Sequence, residues 1–173
     1  AKASADVILA DFESFKASII SQLPQDGMVG SMDEAEVVVR DLVVQCVLQV
    51  GSRSFSHLLN IVERYHGLLR TLSRSARMRA AMLAAAVRFW IRSPQWLHIV
   101  VDKLLQYRIV EPADVVEFIF NPPRDEPASI LTAGVSEVGS WAGFNTWGLL
   151  NLTLDKVNGR VDQLRRRLEQ SQR

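Results

Sequence analysis

A single cysteine cannot make an internal disulfide, and Cys46 is the only one in the 173 residues. The fold must therefore rest on its core, which fits a reducing compartment. Cys46 lies in an apolar run with Val43, Val44, Val47 and Leu48. There a thiol reads as a small core side chain rather than an activated nucleophile. Net charge is nearly absent at +1. Bulk electrostatics thus do not point to nucleic acid, and any basic surface must be local. Long apolar runs are missing too: Ala80–Val87 is among the longest, far below the roughly 20 residues of a membrane span. No secretory signal is visible. Nor is there a Gly-rich phosphate loop, an HExxH or a CxxC. The three histidines, His57, His66 and His98, share no ligand spacing, and no Ser-His-Asp order stands out. Together these absences argue against an enzyme, a metal centre and a cofactor site.

What is present is helical periodicity, and nearly half of the residues are hydrophobic, enough for one domain with a sizeable core. A first helix is expected at about Ala5–Leu23, with Val7, Ile8, Phe12, Phe15, Ile19 and Leu23 as its stripe. Pro24, Gly27 and Gly30 then make a loop, and Ser31 with Glu34 three residues on forms a capping box. The segment Met32–Val50 is rich in valine and would be strand by propensity alone. Its polar residues Glu36, Arg40, Asp41, Gln45 and Gln49 recur at helical spacing as one narrow stripe. We therefore expect a helix buried over most of its circumference between two sets of neighbours. Further helices are expected at about Ser54–Ser73, Ser75–Arg92, Pro94–Tyr107 and Pro112–Phe120. Ser93 is placed to cap the third of these, and prolines open the last two, as the first helical position favours. Residues 121–138, with three prolines and Gly134, form an extended loop before a last helix from about Ser140. The expected fold is all-α: about seven helices stacked as antiparallel hairpins of roughly 40 residues, HEAT-like in period but without visible sequence repeats. The chain opens on Ala1, which reads as a cut boundary of a longer multi-domain chain.

Three surface features suggest partners. Arg74, Arg77, Arg88 and Arg92 fall within about 60° on a helical wheel, with Ala81, Ala84 and Ala85 between them. They are partner-binding candidates: small residues flanked by arginines admit another chain and pair with carboxylates or phosphates. The competing readings are a solvated basic stripe, or neutralisation by acids of neighbouring helices. The tryptophans are the second feature. Trp90 and Trp96 straddle one turn and should cement that hairpin, while Trp141, Phe144 and Trp147 open the last helix as core anchors or an exposed aromatic site. Third, Trp147, Leu150, Leu154, Val157, Val161, Leu164 and Leu168 alternate spacings of three and four, a coiled-coil seam. Either it packs across the preceding hairpins or it pairs with a helix from elsewhere. Arg160, Arg165, Arg166 and Arg167 flank it.

The run Gly51-Ser52-Arg53-Ser54-Phe55-Ser56-His57 resembles a stretch in the large subunit of the nuclear mRNA cap-binding complex. So do Phe89-Trp90, Ser93-Pro94-Gln95, Val101-Asp102-Lys103, Ile109-Val110 and Phe118-Ile119-Phe120. Order and spacing agree from about residue 37 to residue 120, and the helix beginning near Trp141 is also similar. The first helix matches poorly. The loop from Asn121 to Ser140 is longer than in animal relatives, which implies a fungal or otherwise divergent member.

The resemblance is to the C-terminal MIF4G-like domain of that subunit. It implies a non-enzymatic scaffold that supports the RRM-type small subunit and recruits RNA processing and export adaptors. Capped RNA would be bound only indirectly, since the small subunit stacks the cap, and no membrane is involved. The implied location is the nucleus, with shuttling to the cytoplasm. Two alternatives stay open: a translation-initiation MIF4G scaffold binding a helicase, and a HEAT-like module binding RNA directly.

Overall fold

The computed structural model describes residues 4–22, 29–90, 92–121 and 144–172. Among them the regular structure is entirely helical: α1 Ala5–Gln22, α2 Val29–Gly51, α3 Phe55–Leu72, α4 Ala76–Trp90, α5 Pro94–Gln106, α6 Pro112–Phe120 and α7 Phe144–Ser171. The all-α expectation holds, and the valine-rich segment is helical throughout. Burial against three neighbours outweighs the modest helix penalty of β-branched residues. Nearly all of the 121–138 loop, together with Trp141, lies outside the described residues.

Side-chain caps set the turns. Ser54 Oγ accepts the His57 N–H at 3.1 Å to start α3, and Ser75 Oγ accepts the Met78 N–H at 3.2 Å to start α4. Ser93 occupies the N-cap of α5, yet its side chain makes no capping bond, so Pro94 alone marks that start. Ser31 lies inside α2, which begins at Val29, so the expected capping box does not mark its start. The α5–α6 turn closes with Ile109 N donating to Leu104 O at 2.9 Å and with Arg108 at φ 53°. That left-handed step usually falls to glycine.

Each hairpin packs on itself, α2 on α3, α4 on α5 and α6 on α7. The hairpins then stack in two layers. One holds α2, α4 and α6 with α4 in contact with both others, and the second holds α3, α5 and α7 with α5 likewise central. Helix α1 lies against α2 and α3 at one end. The core runs between the layers through Leu58, Ile61, Leu68, Leu72, Leu83, Leu97 and Ile109, all at most 2% exposed. Ala84, Ala85 and Ala86 are buried in α4 at the middle of the stack. Their small size brings the molecule's own helices close. It does not serve an outside chain, the role first read for Ala84 and Ala85.

Two glycines mark close approaches. A Cβ on Gly51 would lie 3.0 Å from Leu58 Cα, so the α2–α3 turn has no room for one. A Cβ on Gly148 would meet the His98 ring at 2.6 Å, where α7 crosses α5.

Candidate interaction surfaces

The arginine stripe divides on inspection. Helix α4 ends at Trp90, so Arg74 and Arg92 sit in the flanking turns rather than on the helix. They lie at opposite ends of α4, whose 15 residues span about 22 Å. Arg74, Arg77 and Arg92 are exposed. Arg88 turns inward: its Nη2 donates to Asp41 Oδ1 of α2, and both side chains are nearly buried. An acid from a neighbouring helix thus neutralises this member of the stripe inside the fold.

Asp41 is the centre of a small internal network. Gln45 Nε2 donates to its second oxygen at 2.7 Å. Burial raises the Asp41 pKa above its ordinary value, and the Arg88 charge with the Gln45 and Arg88 hydrogen bonds offsets only part of this. One residue earlier, Arg40 Nη1 donates to Leu72 O, closing the carbonyl end of α3, and its guanidinium lies 5.6 Å from the centre of the Phe12 ring. The polar residues of α2 are therefore not one narrow solvent stripe. Arg40 and Asp41 face neighbouring helices, Gln45 bonds to Asp41, and the helix exposes Val38, Leu42, Cys46 and Val50 beside Gln49. Sequence reasoning missed this inversion, although an Asp set in the apolar run from Val37 to Val44 was a signal for it.

Cys46 is correspondingly exposed, not a core side chain. With Ile8, Phe12, Phe15, Leu42 and Val50 it lines an apolar groove of about 470 Å³ between α1 and α2. Of the expected α1 stripe, Phe12 is buried while Val7 and Phe15 are exposed, and the side chains of Ile19 and Leu23 lie outside the described residues.

A second ion pair ties α4 to α6. Arg79 Nε donates to Asp114 Oδ2 at 2.6 Å, and the same carboxylate oxygen accepts the Glu111 N–H at 2.7 Å. That bond holds the Arg79 guanidinium further in its charged form. Asp102 receives Lys156 Nζ of α7 at 2.7 Å and so pins the last helix to α5.

The blocks that carried the family resemblance converge at the hairpin turns. Trp90 stacks on Trp96 at 4.6 Å with an interplanar angle of 9°, Phe55 lies 4.2 Å from Trp96, and Phe89 meets Trp90 edge-on at 4.8 Å. Trp90 and Trp96 thus join α4 to α5, as the sequence predicts. Trp147 is different: it is 62% exposed and anchors no core. Among the described side chains of α7 the buried ones are Leu149 and Thr153, while Leu154, Val161, Leu164 and Leu168 of the seam are exposed and Leu150 and Val157 half-buried. Helix α7 docks through the face beside its seam and not through the seam.

The histidines lie apart. His66 Nδ1 is 2.7 Å from Glu63 O and its ring stacks on Tyr107, while His98 lies against Gly148. No group of three or more His, Cys, Asp or Glu that could hold a metal occurs among the described residues. No described helix is long and apolar enough to cross a membrane.

A family model described as MIF4G like matches residues 1–173. Nuclear cap-binding protein subunit 1 of Anopheles gambiae is 26% identical over 156 residues, 88% of this chain and 18% of that protein. Subunit 1-A of the same protein from Xenopus laevis is 28% identical over 131 residues, 76% of this chain and 15% of the relative. The Oryza sativa subsp. japonica subunit 1 is 24% identical over 159 residues, 88% and 17% respectively. The chain spans less than a fifth of the length of these relatives. With one model matching its stacked helices from end to end, the chain belongs to the MIF4G-like family.

Proposed function

We propose that this domain is a non-enzymatic scaffold within the large subunit of a nuclear cap-binding complex. In this reading it is the C-terminal MIF4G-like domain, it helps to hold an RRM-type small subunit, and it offers a platform to RNA processing and export adaptors. It meets capped RNA only through the small subunit, and it works in the nucleus with passage to the cytoplasm. The observation that carries the reading is the similarity to nuclear cap-binding protein subunit 1 over 88% of the chain. The architecture supports it. Polar side chains at the centre of the stack are spent on joining helices, as Asp41–Arg88 and Asp114–Arg79 do. The outward surface includes large exposed apolar side chains such as Leu42, Val50, Phe120 and Trp147, which suit contacts with other chains.

For the basic surface we assign the contact to Arg74, Arg77 and Arg92, the exposed members of the stripe. Charge-assisted pairs that lose water at an interface are worth far more than exposed ones. The test is a binding experiment with an immobilised RRM-type small subunit and, separately, a cap-analogue resin. The domain is expected on the first and absent from the second. Retention on cap resin without the small subunit, or capture of a helicase in its place, would overturn the reading. An Arg74→Glu, Arg77→Glu, Arg92→Glu variant should melt as the parent does and bind at least about tenfold more weakly, since three pairs worth only about 0.5 kcal/mol each would already give that factor. Unchanged affinity would remove the stripe from the contact.

A further inference from the structure

From Leu42 to Val101 the chain carries eight arginines, no lysine and a single acid, Glu63. Two of these arginines are taken up inside the fold, Arg79 by Asp114 and Arg88 by Asp41. The segment as a whole is strongly cationic, which the net charge of +1 conceals. The path of the helices sorts this charge. Arg74 and Arg77 belong to the α3–α4 end of the stack. Arg53 and Arg92 belong to the opposite end, in the α2–α3 and α4–α5 turns, and both are exposed.

Aromatic rings join those two turns. Trp96 stacks on Trp90 at 4.6 Å, and Phe55 lies 4.2 Å from Trp96. Phe55, the first residue of α3, ends this ladder and keeps 38% of its surface in water. Helices α3 and α5 both start here, so their positive dipole ends meet the same surface. The Ser93 side chain at the head of α5 makes no capping bond. Glu63 lies about 12 Å further along α3 from Phe55. These features select an occupant. Arginine grips a carboxylate through two parallel N–H bonds, and the helix starts add to the pull. An exposed ring at the end of a ladder accepts one more ring. The rings could also stack bases, but two arginines are too few for the run of phosphates that gives single-stranded RNA its affinity.

We propose that the α2–α3 and α4–α5 turns form a docking surface for a short acidic peptide segment of a partner protein. Its aromatic side chain lies on Phe55 and its carboxylates pair with Arg53 and Arg92. The inference goes beyond the scaffold reading and stands without it. Arg92 is shared with the contact assigned above, and Arg53 separates the two.

The test uses the whole 173-residue chain, whose tryptophans report on the ladder, and short synthetic peptides that lack tryptophan. The probe has Phe at its centre and Glu on both sides. One comparison peptide replaces Phe by Ala, and another replaces Glu by Lys. The probe should shift the emission and bind about tenfold more tightly than either comparison, the size of two charge-assisted pairs or of one added ring contact. An Arg53→Glu, Arg92→Glu variant should melt as the parent does and favour the Lys peptide. A Phe55→Ala variant should bind the Phe and Ala peptides alike while still preferring Glu to Lys. An Arg74→Glu, Arg77→Glu variant, altered at the other end of the stack, should bind the probe as the parent does. Loss of the probe in that last variant, equal binding of the three peptides by the parent, or preference of the parent for oligouridylate over the probe would each overturn the proposal. Failure of the parent to hold the small subunit would overturn only the scaffold reading.

Discussion

Helices α2 and α7 break the same rule in opposite senses. In α2 a charged pair member, Asp41, is buried while Leu42 and Val50 stay at the surface. In α7 a heptad of apolar residues is left in water, and a lysine pinned by Asp102 helps dock the helix. The difference lies in what stands opposite. Asp41 has Arg88 and Gln45 within reach, so its desolvation is offset in part, whereas Leu164 and Leu168 stay half exposed or more. Burial follows the partner on the neighbouring element and not the polarity of the residue alone.

The largest break in this comparison should come from Arg88→Glu. It would set a second carboxylate against Asp41 and remove the cation, and removing one partner of a buried pair costs about 3–5 kcal/mol. Chemical denaturation should show that loss, and restoring an opposite partner with Asp41→Lys in the same chain should recover part of it. Next comes Gly51→Ala. The added carbon meets Leu58 backbone, so the α2–α3 turn must shift, at about 1–3 kcal/mol. Gly148→Ala meets only the tip of the His98 ring, which can swing, and should cost less and loosen α7 alone.

The pH dependence sharpens the α2 side. Because burial raises the Asp41 pKa above 3.8, the folded form holds its proton more tightly than the unfolded form. This group's contribution is fully present below the ordinary value and is lost as pH rises through the raised one. Parent and Asp41→Asn chains compared from acid to neutral pH should therefore diverge, with the parent losing ground as pH rises. A constant difference would mean that the Arg88 pair just balances burial, and a parent that gains as pH rises would mean that the pair outweighs it. The smallest effect belongs to α7. Leu164→Ala should change the melting temperature by no more than an exposed substitution does, about 0.5 kcal/mol or less. Leu68→Ala, at 1% exposure, should cost about 2–5 kcal/mol.

Periodicity was enough to place α1 to α6 within about three residues, because prolines, serines and short turns punctuate the chain at 54, 75, 94 and 112, whereas α7 begins four residues after the expected Ser140. The valine-rich α2 was legible as helix for the same reason: its polar residues recur at helical spacing. Which face of it turns inward was not, since that depends on Arg88, 47 positions away. The stripe of four arginines was drawn on an ideal wheel that α4 does not complete, ending as it does before Arg92. Two of its members, Arg74 and Arg92, flank α4, and a third is held by Asp41. Cys46 looked interior because its neighbours in sequence are apolar, but apolar residues also line the groove against α1.

The stacked indoles of Trp90 and Trp96 carry an optical consequence. Rings nearly parallel at 4.6 Å couple their excited states, so the α4–α5 hairpin should give a paired signal in near-ultraviolet circular dichroism and a shifted, partly quenched emission. Trp147, bathed in solvent on α7, should emit as a separate, red-shifted and readily quenched population. Unfolding watched at these two colours would time the release of the stack separately from any event on its last helix, without a label.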